Sequence, residues 1–195
     1  MTPEDAIGEL LAGNQRYVEG LVDAYNPPEA RADHAMGQAP FAAILRCADS
    51  RVAPEIVFDQ PLGNLFVCGV SGNIPTTEII ASLEFGVSVL GCLVIVVMGH
   101  TSCLTVTEAV QQQHSTNSSH GSLSVIIDQI ALPNVDDIKQ TESETLNNAI
   151  AFNALYGVER LMNESELIAS VVNAGDLRLF GGVLDIGSGQ FILLG

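Results

Sequence analysis

The stretch LVIVVMGHTSC, from Leu93 to Cys103, decides the fold of this chain. Its first six residues are apolar and mostly β-branched, which is typical of a strand buried on both faces. His100 and Cys103 follow where that strand ends. The same pattern occurs earlier, where the apolar run 41–45 leads into RCADSR at residues 46–51. Because parallel strands in an α/β sheet end at one edge, we expect these two polar segments to converge there.

Strands and helices alternate along the rest of the chain. The patterns predict strands at 41–46, 65–70 and 93–98, and two more within 177–194 around a turn at 185–189. They predict helices at 3–17, 76–90, 102–113, 123–132 and 141–162, with an irregular segment at 20–40. The predicted fold is α/β, with a central, mostly parallel sheet that has an antiparallel edge and is flanked by helices. Residues 1–195 form a single domain in this interpretation, and we expect residues 1–40, a helix and an arm, to pack on a partner subunit.

The charge balance excludes several classes of partner. The net charge is −16, and Lys139 is the only lysine. Nucleic acids and anionic membranes are bound mainly through Lys and Arg, so we expect no binding to either. No apolar run is long enough to cross a bilayer, and the N-terminus lacks the basic start of a signal peptide. We therefore expect a cytoplasmic protein.

Two of the four cysteines have the setting of metal ligands. Cys47 and Cys103 each follow a strand among polar neighbours, whereas Cys68 and Cys92 lie in apolar segments and are interpreted as small core residues. A disulfide framework is disfavoured in a chain of this size that is poor in cysteine. Two thiolates and the imidazole of His100 suit Zn²⁺ and leave a fourth position for water.

Asp49 decides whether that fourth position is open. If this carboxylate binds the metal, water is displaced and the site is closed. If Arg51, two residues further on, holds Asp49 through a bidentate ion pair, the fourth position stays open. Chemistry alone favours an open, catalytic site over a closed, structural one.

With these residues in view, the chain resembles the β-class carbonic anhydrases. The pattern Cys-x-Asp-x-Arg followed by His-x-x-Cys is the core of the resemblance, which extends over nearly the whole chain. Three further segments resemble signatures of the family: 10–17 in the first helix, 81–87 before the third strand, and 181–189 in the C-terminal hairpin.

The resemblance implies a zinc-dependent, reversible hydration of CO₂ to bicarbonate and a proton by attack of zinc-bound hydroxide. It implies that Cys47, His100 and Cys103 hold the zinc, and that Asp49, paired with Arg51, accepts a hydrogen bond from the attacking oxygen. The substrate-binding residues that it implies are Gln38 (from a neighbouring subunit), Phe66, Ser71 and Gly72. It also implies a homodimer or a higher even oligomer.

Some positions depart from the family. Its members commonly have Arg-Asn-Ala-Gly-Asn where this chain has GVSGN at 69–73, and Gly-Ala where it has Leu104-Thr105. A Trp and an Arg that bind regulatory bicarbonate in some members correspond to Ile44 and Gly69, so we expect no such pocket and a constitutively open site. Two alternatives remain: hydrolysis of carbonyl sulfide or carbon disulfide in a reshaped pocket, and a non-catalytic zinc protein for assembly or regulation.

Overall fold

A five-stranded sheet forms the centre of the protein, as a computed structural model shows; the structure describes residues 1–23, 28, 30–113, 121–133 and 141–194. The strand order is β2-β1-β3-β4-β5. The first four strands are parallel and β5 is antiparallel to β4. This confirms the predicted fold. The strands are β1 (Ala42–Arg46), β2 (Leu65–Gly69), β3 (Val94–His100), β4 (Arg178–Leu184) and β5 (Phe191–Leu194).

Helices cover both faces of the sheet. They are α1 (Pro3–Glu19), α2 (Ala30–Met36), α3 (Pro54–Val57), α4 (Thr77–Ser88), α5 (Leu104–Gln113), α6 (Leu123–Ile127), α7 (Glu142–Glu164) and α8 (Glu166–Ala174). Threonine side chains begin three of them: Thr2, Thr76 and Thr141 each accept a hydrogen bond from a backbone N–H of the first turn. Such caps satisfy donors that have no partner within the helix. Among the described residues, no helix combines the length and the apolar character needed to cross a membrane.

The sheet is buried because apolar side chains alternate onto two separate clusters. Every residue of β3 is buried. In β1, Ala42 and Ile44 face one cluster, while Ala43 and Leu45 face the other. Cys47 and Cys103 belong to the first of these clusters. The polar site is therefore built at the margin of an apolar core, where little water competes for its hydrogen bonds.

The strand order places the site. The chain leaves β1 to form β2 on one side and returns to form β3 on the other. Connections that depart in opposite directions leave a crevice between the carboxyl ends of the two strands, which is the usual ligand site of open α/β sheets. Cys47 directly follows β1, and His100 is the last residue of β3.

Several predicted boundaries were wrong. The segment predicted to be irregular contains α2, and the predicted helix 123–132 ends at Ile127. The helix predicted from Ser102 begins at Leu104, because Ser102 has a left-handed backbone (φ 56°) that ends the strand and precedes the helix. The short helix α3 and the helix α8 were not predicted. Of the polar stretch at 114–122, only residues 121 and 122 are among those that the structure describes.

Helix α1 is attached to α3 and to the C-terminal hairpin through Asn14. Its side-chain amide nitrogen donates to the backbone oxygens of Val57 (3.0 Å) and Gly189 (2.9 Å), and its oxygen accepts from the Phe191 N–H (2.8 Å). Asn14 is only 4% exposed, so these groups have little access to water. Helix α1 thus packs on its own chain; the packing of residues 1–40 on a partner subunit stays a prediction.

Replacing Asn14 by Leu is expected to lower the free energy of unfolding by about 3 kcal/mol, because three buried backbone groups lose their partner. Urea unfolding followed by circular dichroism measures the change. Gln15→Leu is the matched control, since the Gln15 side chain is exposed and donates to Glu19 of the same helix; we expect it to change the free energy by less than about 0.5 kcal/mol. Equal effects of the two substitutions would contradict the role of Asn14.

Candidate active site

Three side chains of the site bring their ligand atoms together. The sulfurs of Cys47 and Cys103 and a ring nitrogen of His100 all lie within 4.8 Å of one another, and the three residues are buried. The two sulfurs are 3.9 Å apart. Two thiolates at about 2.3 Å from a tetrahedral Zn²⁺ are roughly 3.8 Å apart, so the cysteines have the spacing of zinc ligands.

His100 presents one nitrogen to these sulfurs. Its Nδ1 lies 2.9 Å from the backbone oxygen of Thr101, which accepts only if Nδ1 carries the proton. The Nε2 atom is then a lone-pair donor, and it is buried with no hydrogen-bond partner among the described residues. A buried imidazole nitrogen without a partner is costly, and a metal ion at this point removes that cost.

The two thiols are coupled electrostatically. The hydrogen bond from Cys103 lowers the pKa of Cys47, with further help from the Gly72 N–H. The thiolate of Cys47, together with burial, raises the pKa of Cys103. Backbone N–H groups of Val106 and Thr105, at the start of α5, act against that rise. A cation between the sulfurs would let both ionise.

Asp49 is held by Arg51 and not by the sulfurs or the imidazole. The guanidinium of Arg51 donates from Nε to Oδ1 (2.9 Å) and from a terminal nitrogen to Oδ2 (2.7 Å), and its backbone N–H also reaches Oδ1 (3.0 Å). These bonds from Arg51 lower the pKa of Asp49 well below its usual range. The same guanidinium donates to the backbone oxygen of Ser102 (3.3 Å), which ties the two polar segments together. Oδ2 of Asp49 lies 3.9 Å from Nε2 of His100.

A cavity of about 390 Å³ opens beside this pair. Its lining residues are Asp49, Ser50, Arg51, Ser102 and Leu104. Leu104 is 76% exposed, so a large apolar side chain stands at the mouth of an otherwise polar opening.

The turn at 71–73 also reaches the site. The backbone N–H of Gly72 donates to the sulfur of Cys47 (3.3 Å). Gly72 has a left-handed backbone (φ 75°), and a side chain there would collide with Ile130, 2.4 Å from its Cβ position. Glycine is therefore required by both conformation and space. Ser71 is half-buried in the same turn.

The structure does not bring Gln38 and Phe66 to the site of their own chain. Gln38 lines a separate surface cavity of about 680 Å³ with Arg31 and His34. Phe66 packs with the apolar cluster that lacks the site cysteines, and its ring lies against Phe85 of α4 with centroids 6.2 Å apart. The assignment of both residues to substrate binding stays a prediction that requires a second subunit.

Two residues of the site were missed from the sequence. Asn153 in the middle of α7 donates to the backbone oxygen of Gly72 (2.9 Å). Arg46 donates to the backbone oxygen of Cys47 (2.6 Å), and a side chain at Gly69 would contact its guanidinium at 3.5 Å. Arg46, the register partner of Gly69 on the neighbouring strand, thus places its guanidinium beside that position. The sequence signal that could have indicated Asn153 was its position, as a polar residue, on the buried face of a helix.

The other cysteines are core residues. Burial raises the pKa of Cys68 and of Cys92 to about 11, so both remain thiols at neutral pH. Neither belongs to the metal-ligand group. His34 lines the surface cavity of Gln38, and His114 and His120 lie outside the described residues.

Fold and site together define the class of protein: an α/β protein with a centre of two thiols and one imidazole, beside a carboxylate held by arginine. Residues 42–191 match the family model described as "Carbonic anhydrase". The chain belongs to the carbonic anhydrase family, in its β class, whose members are enzymes that catalyse the hydration of CO₂.

Relatives and solved structures agree with this membership. The chain is 31% identical to carbonic anhydrase 2 of Mycobacterium tuberculosis (strain ATCC 25618 / H37Rv) over an alignment 205 positions long, which covers 98% of this chain and 92% of the relative. It is 30% identical to a carbonic anhydrase of Mycolicibacterium smegmatis over 96% of this chain and 91% of that relative. Among solved structures, a tetrameric β-carbonic anhydrase of Sordaria macrospora superposes with a TM-score of 0.74 at 26% identity, covering 86% of this chain and 87% of that one.

Zinc binding is expected to depend on Cys103 and not on Cys68. Replacing Cys103 by Ser removes a thiolate from a buried three-ligand site, so zinc bound after dialysis against a weak chelator should fall from near-stoichiometric to background. Metal content per folded chain, measured by mass spectrometry, reports this loss. Cys68→Ala is the control, because it also removes a buried thiol but leaves the three ligands. Retention of zinc by Cys103→Ser would contradict the assignment.

The Asp49–Arg51 pair is expected to stabilise the metal-free protein at neutral pH and less in acid. Because the folded-state pKa of Asp49 is lowered, its stabilisation is present above the ordinary carboxyl pKa of about 4 and is lost as the pH falls through the lower folded value. The difference in unfolding free energy between wild type and Asp49→Asn should therefore be larger at pH 7 than at pH 3. Urea unfolding at the two pH values measures it, with Asp176→Asn, at an exposed carboxylate, as control. A difference that does not shrink in acid would contradict the lowered pKa.

Proposed function

We propose that this protein catalyses the zinc-dependent, reversible hydration of CO₂ to bicarbonate and a proton. The observation that carries the proposal is the double hydrogen bond between Asp49 and Arg51, beside three buried ligand atoms. A carboxylate engaged in this way is not a fourth ligand. The position facing His100 Nε2 and the two sulfurs is then open to water, which is the arrangement of catalytic zinc sites.

The donor set fits zinc. Cys47, Cys103 and Nε2 of His100 would hold the ion, since their spacing and the unpartnered nitrogen match its preferred ligands. Zinc bound there supplies a water whose pKa is lowered toward neutrality, and hence a nucleophile at ordinary pH. Within the chain, the Thr101 oxygen fixes the tautomer of His100 and so keeps Nε2 available.

Asp49 orients the nucleophile in this proposal. Because Arg51 keeps it ionised, its Oδ2 is an acceptor only, and it lies 3.9 Å from the nitrogen that faces the ligand cluster. An oxygen held at the metal position would find its acceptor in Asp49, which lines the same cavity as Ser102 and Leu104. Arg51 fixes the carboxylate on the other side and prevents it from turning toward the metal ligands.

A second copy of the chain would complete the pocket. Gln38 and Phe66 do not reach the site of their own chain, and the resemblance assigns Gln38 to the neighbouring subunit. We therefore propose a homodimer or a higher even oligomer; the similar Sordaria macrospora protein is tetrameric. A cytoplasmic location stays a prediction of the sequence.

Hydrolysis of carbonyl sulfide or carbon disulfide is the second candidate. Leu104 favours it, because an exposed apolar side chain at the cavity mouth suits a larger and less polar linear molecule than CO₂. The same nucleophile would attack either substrate. A non-catalytic zinc protein is disfavoured, because a purely structural site has no use for a carboxylate held beside an open position.

Purified protein loaded with zinc should hydrate CO₂ in a stopped-flow assay with a pH indicator, and carbonyl sulfide is tested in parallel. Asp49→Asn should keep its zinc but lose about 100-fold or more in kcat/KM, since the orienting acceptor is gone. Cys47→Ser should lose both zinc and activity, whereas Cys92→Ala should keep both.

A chain that holds zinc but hydrates neither substrate would refute the enzymatic proposal. A kcat/KM for carbonyl sulfide above that for CO₂ would replace the first candidate by the second. Full activity in Asp49→Asn would refute the role of that carboxylate.

A further inference from the structure

A buried chain of hydrogen bonds leads from α7 to the metal-ligand cluster. The oxygen of the Asn153 side chain accepts from the backbone N–H of Ala131 (3.1 Å), and its nitrogen donates to the backbone oxygen of Gly72 (2.9 Å). The N–H of Gly72 in turn donates to the sulfur of Cys47 (3.3 Å). Asn153 is 3% exposed, so this series of hydrogen bonds is shielded from water.

These hydrogen bonds hold Gly72 in one orientation. Its carbonyl is fixed by Asn153 and its N–H points to the sulfur, so both polar groups of the residue are engaged. Ile130 and Thr105 fill the space where a side chain would stand, at 2.4 and 3.2 Å from the Cβ position. A small rotation of the turn would separate the N–H from the sulfur and would leave the Gly72 oxygen buried without a donor.

The opposite side of the turn is attached to β1. The N–H of Val70 donates to the oxygen of Arg46 and the N–H of Ala48 donates to the oxygen of Val70, both at 3.2 Å. The N–H of Asn73 closes the turn on the same Val70 oxygen (3.1 Å). The backbone thus fixes where the turn begins, and Asn153 supplies the tie from α7 that fixes its tip.

We propose that Asn153 is a positioning residue that holds the Gly72 N–H on the sulfur of Cys47 and thereby sets how strongly this thiolate donates to the metal. The inference rests on the proposed zinc site. An N–H directed at a thiolate stabilises its negative charge and weakens its donation to a bound cation. Loss of this bond therefore makes the cation a weaker acid toward its water, in the way that partners of metal ligands generally tune a metal site.

The test compares Asn153→Leu with Asn14→Leu. Both substitutions remove a buried amide with bonds to backbone groups, but Asn14 bonds the C-terminal hairpin and α3 and not the turn at Gly72. A loss of stability alone therefore affects the two variants alike, and a positioning effect appears only at Asn153. Asn153→Ser, which keeps a hydroxyl but is too short to bridge both partners, is the milder variant.

Four measurements are expected to distinguish the variants. In Asn153→Leu, zinc release to a chelator should be about tenfold slower because the thiolate donates more strongly, the thiolate-to-metal absorption band of the Co²⁺ form should shift, and the pH midpoint of kcat should rise. In metal-free protein, amide exchange at Gly72 should accelerate about tenfold relative to the amide of Val96 in β3. Asn14→Leu should match wild type in all four.

The outcomes separate this inference from the proposed function. If wild type binds zinc and hydrates CO₂ but Asn153→Leu is indistinguishable from Asn14→Leu in the four measurements, the positioning role is wrong. If wild type neither binds zinc nor hydrates CO₂, the proposed function fails, and the exchange ratio at Gly72 still decides whether Asn153 holds the turn. Where Asn153→Leu yields no folded protein, Asn153→Ser is judged by the same measurements and the same outcomes.

Discussion

The close approach of two buried sulfurs is the constraint on which the rest of the structure depends. Cys47 and Cys103 are 3.9 Å apart, almost wholly shielded from water, and next to an imidazole nitrogen that has no hydrogen-bond partner within the described part of the chain. Two thiolates at that distance repel strongly in a medium of low dielectric constant. The surrounding groups, including the Gly72 N–H and the first amides of α5, are directed so as to offset that repulsion. The two sulfurs and the imidazole nitrogen still have too few favourable interactions unless the centre holds a cation.

Local sequence patterns were sufficient for the sheet and for the centre. Apolar runs of strand length, each ended by ionisable residues, predicted β1 and β3, and the parallel arrangement of their ends brought Cys47 to His100 and Cys103. The helices predicted from residues 3 and 141 begin where Thr2 and Thr141 cap α1 and α7. These features could be predicted because each is decided within a few residues, by side-chain period or by one hydrogen bond.

The parts that were missed depend on tertiary contacts. Asn153 is one polar residue on a long helix, and nothing nearby in sequence indicates that it faces the turn at Gly72, 81 positions away. The sequence indicates only that Arg46 belongs to a strand. The register with Gly69 shows which space its guanidinium fills. Helix α2 lies in a segment interrupted by Pro and Gly, where local propensity predicts irregular structure. The positions of Gln38 and Phe66 relative to a complete pocket depend on an assembly, which a single chain does not contain.

The three hydrogen bonds of Asn14 have a consequence for synthesis on the ribosome. Two of them join the first helix to Gly189 and Phe191, 175 and 177 positions further along. The residue after His100 is secured by the same late segment, through the oxygen of Leu184 and the N–H of Ile186. A nascent chain that has already exposed Cys47, His100 and Cys103 therefore lacks the strands that fix them until β4 and β5 have emerged. The centre is thus translated before the segments that make it rigid, so its thiols face the cell's metals and oxidants before the fold protects them.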